Sequence, residues 1–130
     1  MSRLVGTVPP EPPSSPAETP PSDETPSGVV REFYESINAE DRSGALACFI
    51  NNQAVSGWDS VDLMIYCVGL GTRYSPIIIS ENIQDNAATV WYSERITAYG
   101  ILGAEFTYYC SSIRKDNRWY LGSRQIVVRG

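Results

Sequence analysis

The sequence contains no histidine. That absence excludes Ser-His-Asp and Cys-His nucleophilic mechanisms, histidine-ligated metals and the side chain that ordinarily moves protons near neutral pH. Basic runs are missing too. Ten Lys and Arg stand against fifteen Asp and Glu, a net charge of −5, so there is no electrostatic footprint for nucleic acid or an anionic membrane. The aromatic residues do not alter this, because stacking platforms bind single strands only alongside a basic groove. Cysteine is sparse: Cys48, Cys67 and Cys110, with no Cys-x-x-Cys spacing. An odd number of scattered thiols suits buried, reduced cysteines better than a disulfide or zinc framework. No apolar run approaches the ~20 residues of a membrane span. Pro9 and Pro10 also interrupt the N-terminus, before the ~7–15 apolar residues of an export signal accumulate. The expected compartment is the cytoplasm, or outside it where a leader has been removed. No metal or cofactor is expected. Gly69-Leu70-Gly71 lacks the spacing, preceding strand and lysine of a phosphate loop, and Asp85-Asn86 and Asp116-Asn117 are too sparse for calcium.

What is present is unevenly distributed over the 130 residues, the size of one domain. Eight of the nine prolines fall in the first 26 positions, with only Leu4, Val5 and Val8 as large aliphatics among them. Residues 1–25 therefore read as a disordered Pro/Ser/Thr/Glu-rich tail with polyproline II character. Its P-x-x-P pattern at Pro13-Ser14-Ser15-Pro16 is either a docking motif or part of a solvated linker.

The domain is expected over residues 26–130. Thr25 and Pro26 suit an N-cap and a first helical position. Val29, Val30, Phe33, Tyr34 and Ile37 then recur at helical spacing. Asp41 can cap a short second helix carrying Ala45, Leu46, Phe49 and Ile50. A third begins after Asp59 or Ser60, carries Val61, Met64, Ile65 and Val68, and stops at Gly69 and Gly71. From Tyr74 the period becomes two, giving four strands separated by Gln84-Asp85-Asn86, a loop at Gly100–Gly103 and the turn Asp116-Asn117. The expected class is α+β: three N-terminal helices covering one face of a four-stranded antiparallel sheet.

The opening Val30-Arg31-Glu32-Phe33-Tyr34-Glu35-Ser36-Ile37-Asn38-Ala39-Glu40-Asp41, with Ala45-Leu46-Ala47-Cys48-Phe49 after it, resembles the nuclear transport factor 2-like superfamily. So does the charged turn followed by Trp119-Tyr120-Leu121. The resemblance covers residues 29–130 and implies a curved sheet wrapped round the first helix, a cone whose interior can hold a small molecule. The superfamily includes ketosteroid isomerases and polyketide cyclases, but their machinery transfers badly. The helix-1 tyrosine of the isomerases matches Phe33, with Tyr34 about 100° round the helix. Their aspartate base falls near Gly57 or Trp58, with Asp59 the nearest carboxylate. Histidine-dependent dehydratases have no counterpart here.

A tight turn at Asp116-Asn117 sets a register that puts Phe106, Tyr108, Cys110, Ser112, Trp119, Leu121, Ser123, Gln125 and Val127 on one face. On that face, with Phe33, the residues Phe106, Tyr108, Ser112, Trp119 and Gln125 are the ligand-binding candidates: an apolar wall with a few polar groups. The other face carries Tyr109, Ile113, Tyr120, Ile126 and Val128, apolar enough for a homodimer interface. Carboxylates for acid-base chemistry are Asp59, Asp62 and Glu94, with Tyr108 or Tyr66 as donors. For Asp59 and Asp62 the preferred reading is a cap and a first-turn charge on the third helix. The expected function is a non-catalytic module that binds a small apolar or aromatic ligand, or a protein partner. The alternatives are a proton-transfer enzyme with a carboxylate base, and an interaction domain with a filled cone.

Overall fold

Thr25 opens the first helix, α1 (Pro26–Asn38), from an extended backbone, its side chain accepting the Gly28 N–H while Pro26 occupies the first turn. The computed structural model describes residues 25–58 and 60–127. The expected tail, apart from Thr25, and the candidates Asp59 and Val128 lie outside the described residues. The apolar stripe of α1 is fully buried: Val29, Val30, Phe33, Tyr34 and Ile37. Asp41 accepts the Gly44 N–H to start α2 (Arg42–Leu46), and a 3-10 turn (Ile50–Asn52) follows. The third helix, α3 (Val61–Gly69), starts at Ser60, which makes no side-chain cap bond.

The sheet is an antiparallel meander, β1 (Thr72–Gln84), β2 (Ala87–Ala98), β3 (Ile101–Lys115) and β4 (Arg118–Ile126), paired in chain order. The expected loop at 100–103 is only a turn at Tyr99-Gly100. The β3 strand starts at Ile101, and Gly103 is the extra residue of a bulge between Ile96↔Ala104 and Thr97↔Leu102. Asp116 and Asn117 both take positive φ, as a two-residue hairpin turn requires. Bulges bend strands and increase twist, and three interrupt this sheet. They supply the curvature that wraps it round α1.

Two polar clamps hold α1 to the edge strand. Ser27 N and Oγ both donate to Glu81 near its start. Near its end Asn38 Nδ2 donates to Tyr74 O at 2.7 Å, and Oδ1 accepts the Tyr74 N–H at 3.0 Å. The Asn38 amide acts as a short piece of neighbouring strand and covers part of an edge that would otherwise be open. On the far side, residues 53–58 are strapped to β4. The Arg124 N–H bonds Ser56 O, and Trp58 Nε1 donates to Gly122 O. Phe33, Tyr34, Phe49, Trp58 and Tyr92 form the aromatic centre of the core, mostly in edge-to-face contact. Among the described residues no helix is long and apolar enough to cross a membrane.

Candidate functional site

The decisive local feature is the third bulge. Cys110 pairs with Arg124 and Ser112 with Leu121, so Gly122 and Ser123 together oppose Ser111. A Cβ on Gly122 would meet the Ser111 hydroxyl and lie 3.1 Å from the Ser111 carbonyl oxygen, a tight approach that suits glycine. The extra residue reverses the facing of the rest of β4. Arg124 and Ile126 turn to the concave face beside Cys110 and Tyr108, and Gln125 turns to the convex face opposite Tyr109. This corrects the expected register for two of the candidate residues. Gln125 is not on the concave wall but accepts from the Tyr109 hydroxyl at 2.5 Å. Ile126 does not belong with the convex residues Tyr109, Ile113 and Tyr120.

Arg124 becomes the hub of a buried polar cluster. Its Nη1 reaches Tyr34 Oη at 2.9 Å, Tyr92 Oη at 3.1 Å and Glu94 Oε2 at 3.3 Å, and its Nε donates to Gly57 O at 3.0 Å. The guanidinium packs against two aromatic rings, 4.3 Å from the Trp58 centroid and 3.9 Å from that of Tyr108. Tyr34 donates to Glu94 Oε2 at 2.6 Å. Tyr34 and Tyr92 oxygens are 2.9 Å apart. Since the Tyr34 proton is committed to Glu94, Tyr92 donates to Tyr34. Both charged side chains are buried, Glu94 at 4% and Arg124 at 9% exposure. Such a pair is tolerable only because each partner is hydrogen-bonded as well as charge-matched.

Burial, reinforced by Tyr92 and Glu94, raises the Tyr34 hydroxyl well above its usual range. Burial raises Tyr92 as well, against the lowering effect of Arg124. Burial pushes the nearby Cys110 thiol up to about 12. For Arg124 burial opposes the charge, but Tyr34, Tyr92 and Glu94 outweigh it and hold the guanidinium protonated above its ordinary range. The tyrosines are therefore neutral and the arginine charged at any physiological pH.

The other candidates separate into groups. Tyr108 is half-buried over Arg124, and Phe106, paired with Glu94, is 40% exposed with its ring 6.5 Å from that of Tyr108. These two border the cluster on the concave face, together with Ile126. Ser112 lies six residues along β3 from Phe106, roughly 20 Å of strand, and is buried with an unpartnered Oγ. Trp119 is buried beside it under Arg114. Neither reaches a small ligand that touches Phe106. Phe33 is sealed among Tyr34, Phe49 and Trp58. Tyr34, not Phe33, is the helix-1 aromatic that faces the sheet. Asp62 lies in the open, paired with Arg42 at 2.6 Å on the rim of a cleft of about 320 Å³ floored by Trp58. Tyr66 is also exposed. Glu94 enters the cluster while its neighbour Arg95 faces out to Glu105. Sequence reasoning missed Arg124, Tyr34 and Tyr92 as a set. The available signal was Gly122, since a glycine inside a strand often marks a bulge.

The arrangement has the nuclear transport factor 2-like, cystatin-like fold. Rv3472 of Mycobacterium tuberculosis, of unknown function, aligns with TM-score 0.64 and 15% identity over 78% of this chain and 68% of its own. A protein of unknown function with a cystatin-like fold from Nostoc punctiforme gives 0.57 and 19% over 77% and 85%. A putative calcium/calmodulin-dependent protein kinase type II association domain from Thiobacillus denitrificans gives 0.61 and 14% over 78% and 93%. No known family model matches the sequence, and no curated protein matches it.

Proposed function

We propose that the chain is a non-catalytic module whose cone binds a small apolar or aromatic ligand over Phe106, Tyr108 and Ile126, with its polar end at the Glu94–Arg124 floor. The observation that carries this is the assignment of hydroxyl protons. Tyr92 donates to Tyr34 and Tyr34 to Glu94, so neither tyrosine has a proton left to stabilise an oxyanion. Half-exposed apolar side chains beside a buried, charge-balanced floor suit retention of a ligand better than proton transfer. The second reading, a proton-transfer enzyme, is favoured only by the burial of Glu94 inside the cluster, where a carboxylate base would have to sit.

Two further proposals accompany this. The convex face, with Tyr109, Ile113 and Tyr120 and a Trp91–Tyr109 stack at 5.1 Å, is a homodimer interface. The likeness to a kinase association domain supports that reading. The free cysteines Cys67 and Cys110 suit a reducing compartment such as the cytoplasm.

The test is native mass spectrometry on protein purified gently from its own source. A defined mass beyond the polypeptide, absent from a Phe106→Asp variant, is expected. Bare protein that turns over a carbonyl substrate, and loses that turnover in Glu94→Gln, would replace the binding reading with the enzymatic one.

A further inference from the structure

Resting on the reading of the cone as a ligand site, we infer the chemical class of the ligand's polar end. It is an uncharged group offering an acceptor and a donor side by side, as a primary amide or a lactam does. The hydrogen bonds of the floor leave two atoms over. Arg124 uses Nε on Gly57 O and Nη1 on Tyr34, Tyr92 and Glu94. Glu94 uses Oε2 on Tyr34 and Arg124. Among the described residues Arg124 Nη2 and Glu94 Oε1 have no hydrogen-bond partner, and neither is a fully buried orphan. With Trp58 and Tyr108 packed against the guanidinium, its Nη2 edge is what remains for an incoming group. The site thus presents one donor and one acceptor from a pair whose charges already cancel.

That balance selects against charged ligands. A carboxylate gains Nη2 but brings a second negative charge against Glu94 Oε1. An ammonium gains Oε1 and meets the guanidinium. Either adds an uncompensated charge to a buried site, which is costly. An amide satisfies Nη2 with its oxygen and Oε1 with its N–H, and changes the net charge of the floor by nothing.

The experiment uses the full chain and three probes on one ring: benzamide, benzoate and benzylammonium. Each is titrated against the indole N–H resonance of Trp58. Benzamide is expected to shift that resonance saturably and to bind at least tenfold more tightly than the two ions. In Glu94→Gln, which leaves the floor cationic, benzoate should draw level with benzamide or pass it. Equal or tighter binding of either ion to the wild type would overturn the inference about ligand class and leave the cone as a binding site. If no probe shifts Trp58 up to its solubility limit, the binding reading itself falls and takes this inference with it. The wild-type ranking decides alone if the glutamine variant does not fold.

Discussion

Replacing Arg124 by methionine removes the hub of the buried cluster and leaves Glu94, only 4% exposed, with its charge unmatched. Breaking a buried pair from one side costs about 3–5 kcal/mol. The contacts with Trp58 and Tyr108 contribute about 1 kcal/mol more, part of which methionine recovers by packing. A net loss of about 4 kcal/mol is expected, lowering the melting temperature of a domain of this size by roughly 15–30 °C. Glu94→Met strands the guanidinium instead and should cost a similar amount. The double variant is the informative one. With both charges gone, Tyr92 still donates to Tyr34, and the site becomes an apolar floor of comparable volume. Its loss should be about 1–2 kcal/mol, far below the sum of the singles. The assay is urea unfolding of all four proteins in one buffer, with an osmolyte added if the singles are too weak to show a native baseline. Strictly additive losses, or an Arg124→Met cost under about 1 kcal/mol, would refute the claim that these groups form one coupled, buried cluster.

Four other outcomes follow from the geometry. Gly57→Ala should destabilise by roughly 2 kcal/mol or more, because Gly57 sits at φ +91 and a Cβ would lie 2.2 Å from Arg124 O. A wild-type urea midpoint for this variant would mean the strap is not held as described. Asn38→Ala leaves the Tyr74 N–H and carbonyl without their partner, and should cost about 2 kcal/mol with faster amide exchange at Tyr74; unchanged exchange there would discount the clamp. Stability should also fall at alkaline pH. The folded Cys110 thiol is raised from 9.0 to about 12 and Tyr74 from 10.0 to about 12, chiefly by burial. Each group binds its proton more tightly in the folded state, so its contribution is complete below the unfolded value and is lost as pH rises through the folded one. Urea midpoints should therefore decline between about pH 9 and about pH 12, and a flat profile would contradict the burial of these groups. Finally, Trp91→Glu on the convex face should convert a dimer to monomer in sedimentation velocity without loss of fold; wild-type protein that is already monomeric would remove the interface.

The helices were legible because their signals are local. The Thr25-Pro26 start, the stripe from Val29 to Ile37, the Asp41 cap and the stop after Gly69 each depend on neighbours within a turn or two. The turn at Asp116-Asn117 likewise fixed the pairing from Lys115↔Arg118 to Ser112↔Leu121. Past that point alternation fails as a guide. One extra residue at Gly122-Ser123 exchanges the faces of Arg124, Gln125 and Ile126. A period-two reading cannot place a bulge that shows only in the pairing with the neighbouring strand. Glu94 was identified as a carboxylate of interest, but its partners lie 60 residues upstream at Tyr34 and 30 downstream at Arg124. Such a cluster exists only once helix, sheet and bulge are assembled. Phe33 and Tyr34 show the same limit. Both lie on the buried stripe, and only the packing decides which of them meets the sheet.

The most direct measurement is a crystal structure of the protein carrying the molecule it retains from its source, or benzamide where none is retained. The account predicts density on the concave face against Phe106 and Tyr108, with polar atoms within hydrogen-bond distance of Arg124 Nη2 and Glu94 Oε1. A molecule bound only elsewhere, or a cone closed by its own side chains under saturating benzamide, would contradict it.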